Sequence, residues 1–559
     1  MKSVFSRELA ARAGTRTGRR WIYVAYDQLN GSLGRLAQGN PQELGMVLVE
    51  APAKAARRPY HQQKLALVLA NQRHFALEQS ARGVAVQYVV AERGYAEALA
   101  ALPRELGPLH MMEAAERELR VELQPLVTSG ALIVERHDGW LTTPADFERG
   151  AGEHAPWRMD AFYRHVRQQT GLLMEGARPV GGKYSFDADN RKPWRGEPEA
   201  PEPPRFEPDA VTCEVIELIA KRFAHHPGTL DASTLPATAA DAEALWSWAR
   251  TACLPHFGPF EDAMSARSSG LFHTRVSALL NLHRLLPARL VREVASDEAL
   301  PLACREGFVR QILGWREFVR HVHRQSDGFR QLPTGAPPVA AAPGDGGYAG
   351  WSGNAWAASA GSPGDGGASP STLAAHAPLP AVFWGEASGL RCLDLVVAGV
   401  WREGWSHHIS RLMVLSNLST LLGFEPRELT DWFWVAYVDA FDWVVEPNVL
   451  AMGTYAAGDL MTTKPYVSGA AYINKMSDYC RECAFDPAKN CPITRLYWAF
   501  LARHEQRFAH NPRFFGPVAS VRKRVSSERE EDARIFEVVR AQLASRQLLS
   551  PTSLVRRPV

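Results

Sequence analysis

Three cysteines near the end of the chain have a spacing that suits a metal site: Cys480, Cys483 and Cys491, the last followed by Pro492. Two thiolates three residues apart can point at one ion, and a third a few residues later can close on the same site. Zinc and a four-iron cluster both accept four cysteines, so the pattern predicts a metal without naming it, and three buried thiols are the alternative. The spacing leaves four candidates open for the fourth ligand: Cys213, Cys253, Cys304 and Cys392.

Adjacent histidines and two tyrosines could support acid–base chemistry or stacking. His407 and His408 fall within a stretch, 396–415, whose apolar residues recur at the spacing of one helix. An imidazole there could move a proton at neutral pH, although a hydrogen-bonded core histidine is the plainer interpretation. The segment 464–475, which contains Tyr466 and Tyr472, mixes cations, aromatics and small residues. That mixture suits phosphate contact and base stacking, but it equally describes a surface loop.

Tryptophan is frequent in this chain, with 16 residues. Core packing explains most of them, because aromatic side chains dominate protein cores. Closely spaced indoles can also carry electrons when a redox cofactor is near, but the sequence does not show their spacing. The tryptophans are concentrated in the part of the chain with helical patterns, at Trp315, Trp384, Trp401, Trp405, Trp432, Trp434, Trp443 and Trp498.

The first part of the chain alternates short apolar runs with helical patterns. The runs 21–26, 46–49, 84–90 and 132–134 indicate buried strands, and a helical pattern separates the second run from the third. This order of strand, helix and strand along the chain predicts a parallel sheet. Residues 20–150 are therefore predicted to form an open α/β domain, in which the strand ends offer ligand sites.

The second part of the chain is predicted to be all-α. A Pro/Glu-rich stretch at 197–204 indicates a linker, which we place at 151–235, and apolar stripes at helical spacing then predict a helical domain over 236–540. Gly, Ala, Pro and Ser prevail over 333–380, a composition that predicts a flexible insertion, with Trp351 and Trp356 inside it. Residues 1–19 and 541–559 are predicted to be an N-terminal extension and a C-terminal tail.

Composition excludes several classes of protein. The chain has 559 residues, 46% of them hydrophobic and 22% charged, which is typical of a globular protein with several domains. A formal net charge of +3 excludes a uniformly basic nucleic-acid binder but permits a local basic groove. Seven cysteines, an odd number, argue against a secreted disulfide framework, so we expect a cytoplasmic protein. No apolar run is long enough to cross a bilayer, and we expect no membrane partner.

Six groups of residues resemble, in the same order, the motifs of one protein family. They are 171–174 with 179–191 (containing GGKYSFDADNR), 308–317 (FVRQILGWRE), 407–413 (HHISRLM), 446–449 (EPNV), 464–466 (KPY) and 472–480 (YINKMSDYC). The chain resembles the bacterial iron–sulfur branch of the photolyase/cryptochrome flavoproteins, whose best-known members are (6-4) photolyases. The match runs from about residue 20 to residue 508, apart from the insertion.

The resemblance implies three cofactors. It makes Cys392 the fourth ligand beside Cys480, Cys483 and Cys491, and the metal a [4Fe–4S] cluster. The α/β domain would hold an antenna chromophore, a ribityllumazine, with Tyr23, Asp27, Gln28 and Glu50 as candidate contacts at or just after strand ends. FAD would lie in the helical domain against His273, Thr274, Ser277, Arg310, Gln311, Trp315, Arg316 and Asn448.

The resemblance also implies an activity and its residues. Trp384 and Trp432 match the electron-transfer tryptophans of the family. His407 and His408 would face a damaged pyrimidine pair, and Tyr466 and Tyr472 would help to hold the flipped dinucleotide. The function implied is light-driven repair of UV-damaged DNA by a monomeric (6-4) photolyase, in which photoexcited reduced FAD gives one electron to the lesion. The alternative is a cryptochrome-like blue-light receptor without repair activity.

Some positions depart from the family pattern. Phe433 stands where a tyrosine is usual after the first tryptophan of the electron path, and Val445 and Ala457 alter the surroundings of the flavin. In the antenna region, Lys54 replaces a common acid and Tyr26 a common glycine. These departures predict a rerouted electron path and an altered antenna site.

Overall fold

The structure, a computed structural model, describes residues 3–12, 14, 17–102, 104–339 and 366–555. The central part of the predicted insertion, 340–365, with Trp351 and Trp356, lies outside the described residues.

The N-terminal domain is built on a five-stranded parallel sheet with the order β3-β2-β1-β4-β5. All seven residues of β2 are buried, as expected for a parallel strand covered on both faces. The predicted sheet is confirmed, with a shorter first strand than the run 21–26 indicated and an unpredicted fourth strand. The strands are β1 (Arg20–Tyr23), β2 (Leu44–Glu50), β3 (Ala85–Val90), β4 (Leu109–Met112) and β5 (Leu132–Glu135).

Helices cover both faces of the sheet and continue through the segment predicted to be the linker. Residues 197–209 have no helix or strand, but α8 and α9 lie on either side of them, and α9 packs against α4. The helices of this part are α1 (Val4–Ala11), α2 (Gly34–Gln38), α3 (Pro52–Ala55), α4 (Gln62–Ala81), α5 (Tyr95–Ala100), α6 (Arg117–Thr128), α7 (Pro144–Ala151), α8 (Met159–Thr170) and α9 (Ala210–Arg222). A short hairpin, β6 (Met174–Glu175) with β7 (Arg178–Pro179), follows α8.

The rest of the described chain is helical, as predicted. Its first helices are α10 (Ala239–Trp248), α11 (Leu254–Phe257), α12 (Ser277–Asn281), α13 (Pro287–Ser296), α14 (Leu302–Val309) and α15 (Glu317–Gln325). Beyond the insertion follow α16 (Arg391–Glu403), α17 (His408–Ser410), α18 (Asn417–Leu422), α19 (Pro426–Ala436), α20 (Asp442–Val445), α21 (Ala470–Met476), α22 (Pro492–Arg503), α23 (Glu505–Phe508), α24 (Phe515–Arg522) and α25 (Ser526–Ala544).

Wide π-helical turns interrupt this domain where candidate site residues lie. The turn Arg310–Arg316 carries four candidate flavin contacts, Arg411–Ser416 directly follows α17, and Glu446–Gly453 carries Asn448. Such turns widen a helix by one residue and are frequent at functional sites. Here they re-aim side chains that a regular helix would direct elsewhere.

The two ends of the predicted insertion are packed. Val339 pairs with Ala368, which is fully buried, and Ala377 pairs with Phe424 just before α19. The tail after α25 also contacts the body of the protein, since the Leu549 amide donates to the Ser388 carbonyl at 3.0 Å. A single buried apolar cluster extends from Trp21 and Val47 in the sheet to Trp443 and Leu450 in the helical domain, so the two domains share a core. Among the described helices, none is both long and apolar enough to cross a membrane.

Candidate active site

Three imidazoles meet in the helical domain. The rings of His273 and His407 are nearly parallel, at 5°, with centroids 4.5 Å apart, and His408 lies edge-on to His273 at 5.3 Å. One nitrogen of each ring lies within 4.8 Å of the others. His273 and His407 are buried, whereas His408 is partly exposed. The histidine cluster therefore reaches from the interior to the surface.

A break in the chain creates this cluster. The predicted single helix over 396–415 is wrong: α16 ends at Gly404, which has a left-handed conformation with φ 63°. The chain then runs extended through His407, which lies immediately before α17 rather than in the middle of a helix. A glycine adopts positive φ without steric cost, so Gly404 turns the chain and points His407 at His273.

The two inner histidines are neutral at neutral pH. Burial lowers the pKa of both His273 and His407 well below the usual value, and the neighbouring imidazoles lower it further. His273 Nε2 and His407 Nδ1 are buried without a hydrogen-bond partner. Buried polar atoms are normally satisfied, so two such nitrogens side by side indicate a ligand that fits against them.

Asp262 links Tyr472 to His408, and Tyr466 shares two charged neighbours with Tyr472. The Tyr472 hydroxyl donates to Asp262 Oδ2 at 3.2 Å. Burial raises the pKa of Asp262, and the neighbouring His408 opposes that rise. Burial also raises the pKa of Tyr466, which lies within electrostatic range of Asp187 and Arg191, as Tyr472 does.

Two of the predicted flavin contacts belong to an ion-pair network. Arg310 pairs with Glu261, Glu306 and Asp187 at 3.3–3.5 Å, and Gln311 donates to Glu261 at 2.6 Å. This network joins α14 to the loop 180–191. Both side chains therefore brace the loop that carries part of the family motif.

A second network joins the histidine cluster to the core. Ser277 donates to Asp439 at 2.6 Å, and Arg411 binds the same carboxylate through two nitrogens at 3.1 and 2.9 Å. Burial alone would raise the pKa of Asp439, but Arg411 and Ser277 outweigh it and lower the pKa. Arg411 also donates to the Ser406 carbonyl at 2.8 Å, which fixes the segment before His407.

The remaining predicted flavin contacts are more dispersed. Arg316 donates to the Leu280 carbonyl at 3.1 Å, lies over the Trp140 ring at 4.1 Å and pairs through Nη1 with Glu317 at 3.5 Å. Asn448 donates to the Val444 carbonyl one turn earlier, at 2.8 Å. Thr274 and Trp315 are partly buried, the first beside His273 and the second in the turn Arg310–Arg316.

The two predicted electron-transfer tryptophans are linked by a third. Trp384 stacks on Trp401 with centroids 5.5 Å apart and an angle of 21°, and Trp401 meets Trp432 edge-on at 5.9 Å. Trp432 is fully buried.

The four predicted cluster ligands come together. Cys392 lies in the first turn of α16. Cys480 lies within a short turn after α21, Cys483 directly follows that turn, and Cys491 precedes α22. Burial raises the pKa of Cys480 to about 11 and of Cys491 to about 12, and the neighbouring thiols add to the shift. The other three cysteines lie elsewhere: Cys253 points at the His273 carbonyl, Cys304 at the Pro255 carbonyl, and Cys213 is exposed.

A cleft of about 110 Å³ opens at the carboxyl edge of the sheet, between the two domains. Among the four candidate antenna contacts, only Glu50 is among the residues that line it. The Asp27 backbone carbonyl contacts His283, the Gln28 side chain donates to the Met112 carbonyl, and Tyr23 is buried. Tyr26 and Lys54, the two departures from the family pattern, do line the cleft, and both bond to Glu116. Trp434 and Phe441 form its wall on the helical side.

Comparison with known proteins identifies the class. Residues 22–235 match the family model described as deoxyribodipyrimidine photo-lyase-related protein. The fold is similar to a class III photolyase from Agrobacterium tumefaciens, with a TM-score of 0.51, 14% identity and coverage of 95% of this chain and 99% of that one. It is also similar to a cryptochrome from Synechocystis, with a TM-score of 0.52, 13% identity and coverage of 93% and 95%. The predicted two-domain architecture is thereby confirmed as that of photolyases and cryptochromes.

Sequence identity to one relative shows the family to which the chain belongs. The (6-4) photolyase of Agrobacterium fabrum is 30% identical over 530 residues, which are 92% of this chain and 97% of the relative. The chain belongs to the photolyase/cryptochrome family.

Three residues of the site escape sequence reasoning. Asp262 and Asp439 lie in segments without a chemical pattern, so only the fold shows that they bond Tyr472 and Arg411. Trp401 was visible as one tryptophan among many on a helical stripe, but its position between Trp384 and Trp432 depends on how α16 meets α19.

Proposed function

We propose that this chain is a light-driven DNA-repair flavoprotein, a (6-4) photolyase. The observation that carries the proposal is the histidine cluster, in which two buried neutral imidazoles meet one partly exposed imidazole, with Asp262 and its partner Tyr472 near the exposed one. The relative that is 30% identical over 92% of the chain, and named a (6-4) photolyase, supports it.

FAD fits the helical domain. His273 Nε2 and His407 Nδ1 are buried without a hydrogen-bond partner, as expected for atoms that contact a polar ligand. The proposed flavin contacts are His273, Thr274, Ser277, Arg310, Gln311, Trp315, Arg316 and Asn448, whereas His407 is one of the histidines proposed to face the lesion. When bound, FAD supplies the one-electron chemistry that amino-acid side chains lack. Arg411 and Asp439 hold the segment beside His407, so the chain positions the cofactor and excludes water.

The lesion would enter from the exposed side of the histidine cluster. His408 is the group through which a proton can reach a flipped base, because His273 and His407 are held neutral inside. Tyr466 and Tyr472 offer ring faces for stacking, and the Asp262 carboxylate orients the Tyr472 hydroxyl. The partner is thus UV-damaged DNA with its damaged bases turned out of the helix.

The four grouped cysteines suit a [4Fe–4S] cluster. Cys392 lies within electrostatic range of Cys480, Cys483 and Cys491, so four thiols from three separate segments are neighbours, and four thiolates are a donor set that iron–sulfur clusters and zinc prefer. Family membership favours the iron–sulfur cluster. Its role would be structural, since it ties α16 to the segment that joins α21 and α22.

The cleft at the sheet edge is the proposed antenna site. Its aromatic lining and its charged groups suit a planar heterocycle with polar edges, such as a ribityllumazine. Lys54 and Tyr26 bond across part of that lining. Acid release of bound pigment from the purified protein, followed by fluorescence and mass measurement, tests the assignment.

The repair proposal has a direct test. The protein is loaded with FAD, chemically reduced and illuminated with blue light in the presence of an oligonucleotide that contains one (6-4) photoproduct. Restored thymines, measured by chromatography, are the expected result, and the matched dark reaction should restore none. Bound reduced flavin without restoration would contradict repair and would favour the blue-light receptor.

A further inference from the structure

We propose that Asp478 is a positioning residue for lesion repair, because its carboxylate holds the loop that carries Asp262. The inference rests on the proposed function, in which Asp262 orients the Tyr472 hydroxyl and lies within electrostatic range of His408. Asp478 lies between α21 and Cys480, in a segment to which the sequence assigns only cysteine ligands. It would act on the lesion through the loop rather than by touching it.

The Asp478 carboxylate binds three successive residues of the loop between α11 and α12. Its Oδ1 accepts from the Ala266 amide at 2.7 Å, and its Oδ2 accepts from the Ser265 hydroxyl at 2.9 Å. Arg267 Nε lies 3.7 Å from the same Oδ2. The Asp478 side chain is only 14% exposed, so water competes weakly for these bonds, and a charged acceptor strengthens them.

The loop is anchored on both sides of Asp262. On the preceding side, Glu261 belongs to the ion-pair network of Arg310. On the following side, the Met264 amide donates to the Met476 carbonyl at 2.9 Å, and the bonds to the carboxylate begin at the next residue. Met264 is also buried in the apolar cluster of the helical domain. Asp262 therefore has little freedom to move while both anchors are intact.

The segment that carries Asp478 is itself fixed to α21. The Ser477 hydroxyl donates to the Ile473 carbonyl one turn earlier, at 2.6 Å, and Tyr479 is buried. Helix α21 also carries Tyr472. One continuous segment therefore presents Tyr472 and, a few residues later, the carboxylate that holds the loop.

These contacts form a closed circuit around the Tyr472–Asp262 hydrogen bond. Helix α21 leads to Asp478, Asp478 holds the loop, and the loop returns Asp262 to the Tyr472 hydroxyl. That bond, at 3.2 Å, is long for two oxygens, so it depends on both partners being held in place. Without Asp478, the Asp262 carboxylate could move away from Tyr472 and from His408. A misplacement of about 1 Å near a reacting group can lower a rate by up to about 100-fold.

Asp478→Ala tests the proposal, with Asp231→Ala as the matched control. Asp231 also accepts from a backbone amide and a serine hydroxyl, both of Ser233, at 3.0 and 2.7 Å, and it pairs with Arg205 at 3.3 Å. In the reduced, flavin-loaded protein saturated with a (6-4) oligonucleotide, Asp478→Ala should lower the repair rate under blue light by roughly tenfold. Asp231→Ala should repair as the wild type does. An unchanged rate in Asp478→Ala would overturn the assignment.

A double-mutant cycle separates positioning from a general loss of stability. If Asp478 acts through Asp262, then Asp262→Asn removes the group that is positioned. Adding Asp478→Ala to that variant should lower the repair rate by less than about twofold more. Effects that multiply would show that Asp478 does not act through Asp262, and would overturn the assignment. If Asp478→Ala does not fold, Ser265→Ala removes one of the bonds from the other side, and wild-type repair in that variant would overturn the assignment as well.

Amide hydrogen exchange tests the contact without any repair reaction. In Asp478→Ala, the peptide that covers residues 262–267 should exchange at least roughly tenfold faster, because the Ala266 amide loses its acceptor. Asp231→Ala should leave that peptide unchanged. Wild-type exchange of the peptide in Asp478→Ala would overturn the proposed contact.

The same preparations distinguish this proposal from the proposed function. Flavin and iron contents of Asp478→Ala should equal those of the wild type, and their loss together with repair would mean that Asp478 stabilises the whole fold, which would overturn a positioning role. A wild-type protein that repairs no lesion would count against the proposed function instead. The exchange measurement would then still decide whether Asp478 holds the loop.

Discussion

The three residues of the histidine cluster differ in burial and in their charged neighbours. His273 and His407 are buried, stacked and neutral, so they can contact a cofactor without adding charge. His408 is partly exposed and lies near the Asp262 carboxylate, which gives a proton held there a neighbouring counter-charge. His408, the histidine proposed to face the lesion, thus differs in environment from its neighbours, although the sequence presents two identical residues side by side.

We predict that His408→Ala lowers the repair rate by about 100-fold, the range expected for loss of one general acid. Flavin content should stay constant, because His408 is partly exposed and is not among the proposed flavin contacts. Repair kinetics on a (6-4) oligonucleotide and flavin absorbance measure the two quantities. His154→Ala, at an exposed position, is the control and should behave as the wild type. If flavin and repair disappear together, His408 has a structural role.

At the scale of secondary-structure elements, His61 connects the start of α4 to the end of α16. His61 caps α4 by accepting from the Gln63 amide at 3.0 Å, and its other nitrogen lies 3.1 Å from the Trp401 carbonyl near the end of α16. Burial lowers its pKa to about 4 in the folded protein. The unfolded chain binds the proton at about pH 6.5, so acid below that value favours unfolding.

This linkage predicts a pH-dependent mutant effect. His61→Asn keeps a side-chain cap but does not titrate, so the variant escapes the cost that the wild type bears below pH 6.5. Relative to the wild type, the variant should gain about 2 kcal/mol in free energy of unfolding between pH 7.5 and pH 5. Denaturant unfolding at both pH values measures this difference. An unchanged difference between the two proteins would contradict the assigned shift.

The proposed cluster would tie α16 to the segment between α21 and α22, and Tyr472 lies in α21. Cys483→Ala should therefore give poorly soluble protein that lacks a metal cluster, because three ligands leave one metal position open. Iron and sulfide analysis and visible absorption measure the outcome. Cys213→Ala is the matched control, since Cys213 is exposed and outside the group. Soluble Cys483→Ala protein with a full cluster would exclude Cys483 as a ligand.

The strands and helices also show which parts of the fold the sequence predicts. The apolar runs of β2 and β3 identify those strands, whereas β4, four residues with alternating burial, gives too short a pattern. Gly404 is a residue type that often ends a helix, but the apolar spacing continues on both sides of it and therefore predicts one uninterrupted helix. The π-helical turns depend on tertiary packing, so the side chains they aim could be named from family motifs but not oriented.

On the scale of the whole molecule, the two domains are one packing unit. The shared apolar cluster crosses the boundary, and Lys64 of α4 donates to the Trp434 and Ala440 carbonyls of the helical domain at 2.7 and 2.5 Å. Arg117 of α6 likewise pairs with Asp327 at 2.8 Å. Separating the domains would expose this core and leave buried polar groups without partners.

We therefore predict a single cooperative thermal transition. Both the sheet and the helical domain should unfold together, because the apolar cluster that crosses their boundary is lost when either unfolds. Far-ultraviolet and near-ultraviolet circular dichroism should give coincident melting curves for the flavin-free protein. Two transitions separated by more than the width of either would contradict a shared core.

The cleft between the domains has an optical consequence. Its walls come from both domains, with Tyr26 and Tyr95 on one side and Trp434 and Phe441 on the other. Because the shared core holds these walls in a fixed relation, a pigment seated there keeps one angle to the helical domain. Resonance energy transfer depends on the mutual orientation of two transition dipoles as well as on their separation. If the cleft holds the proposed antenna, the packing of the domains would therefore set the efficiency with which its excitation energy reaches a flavin in the helical domain.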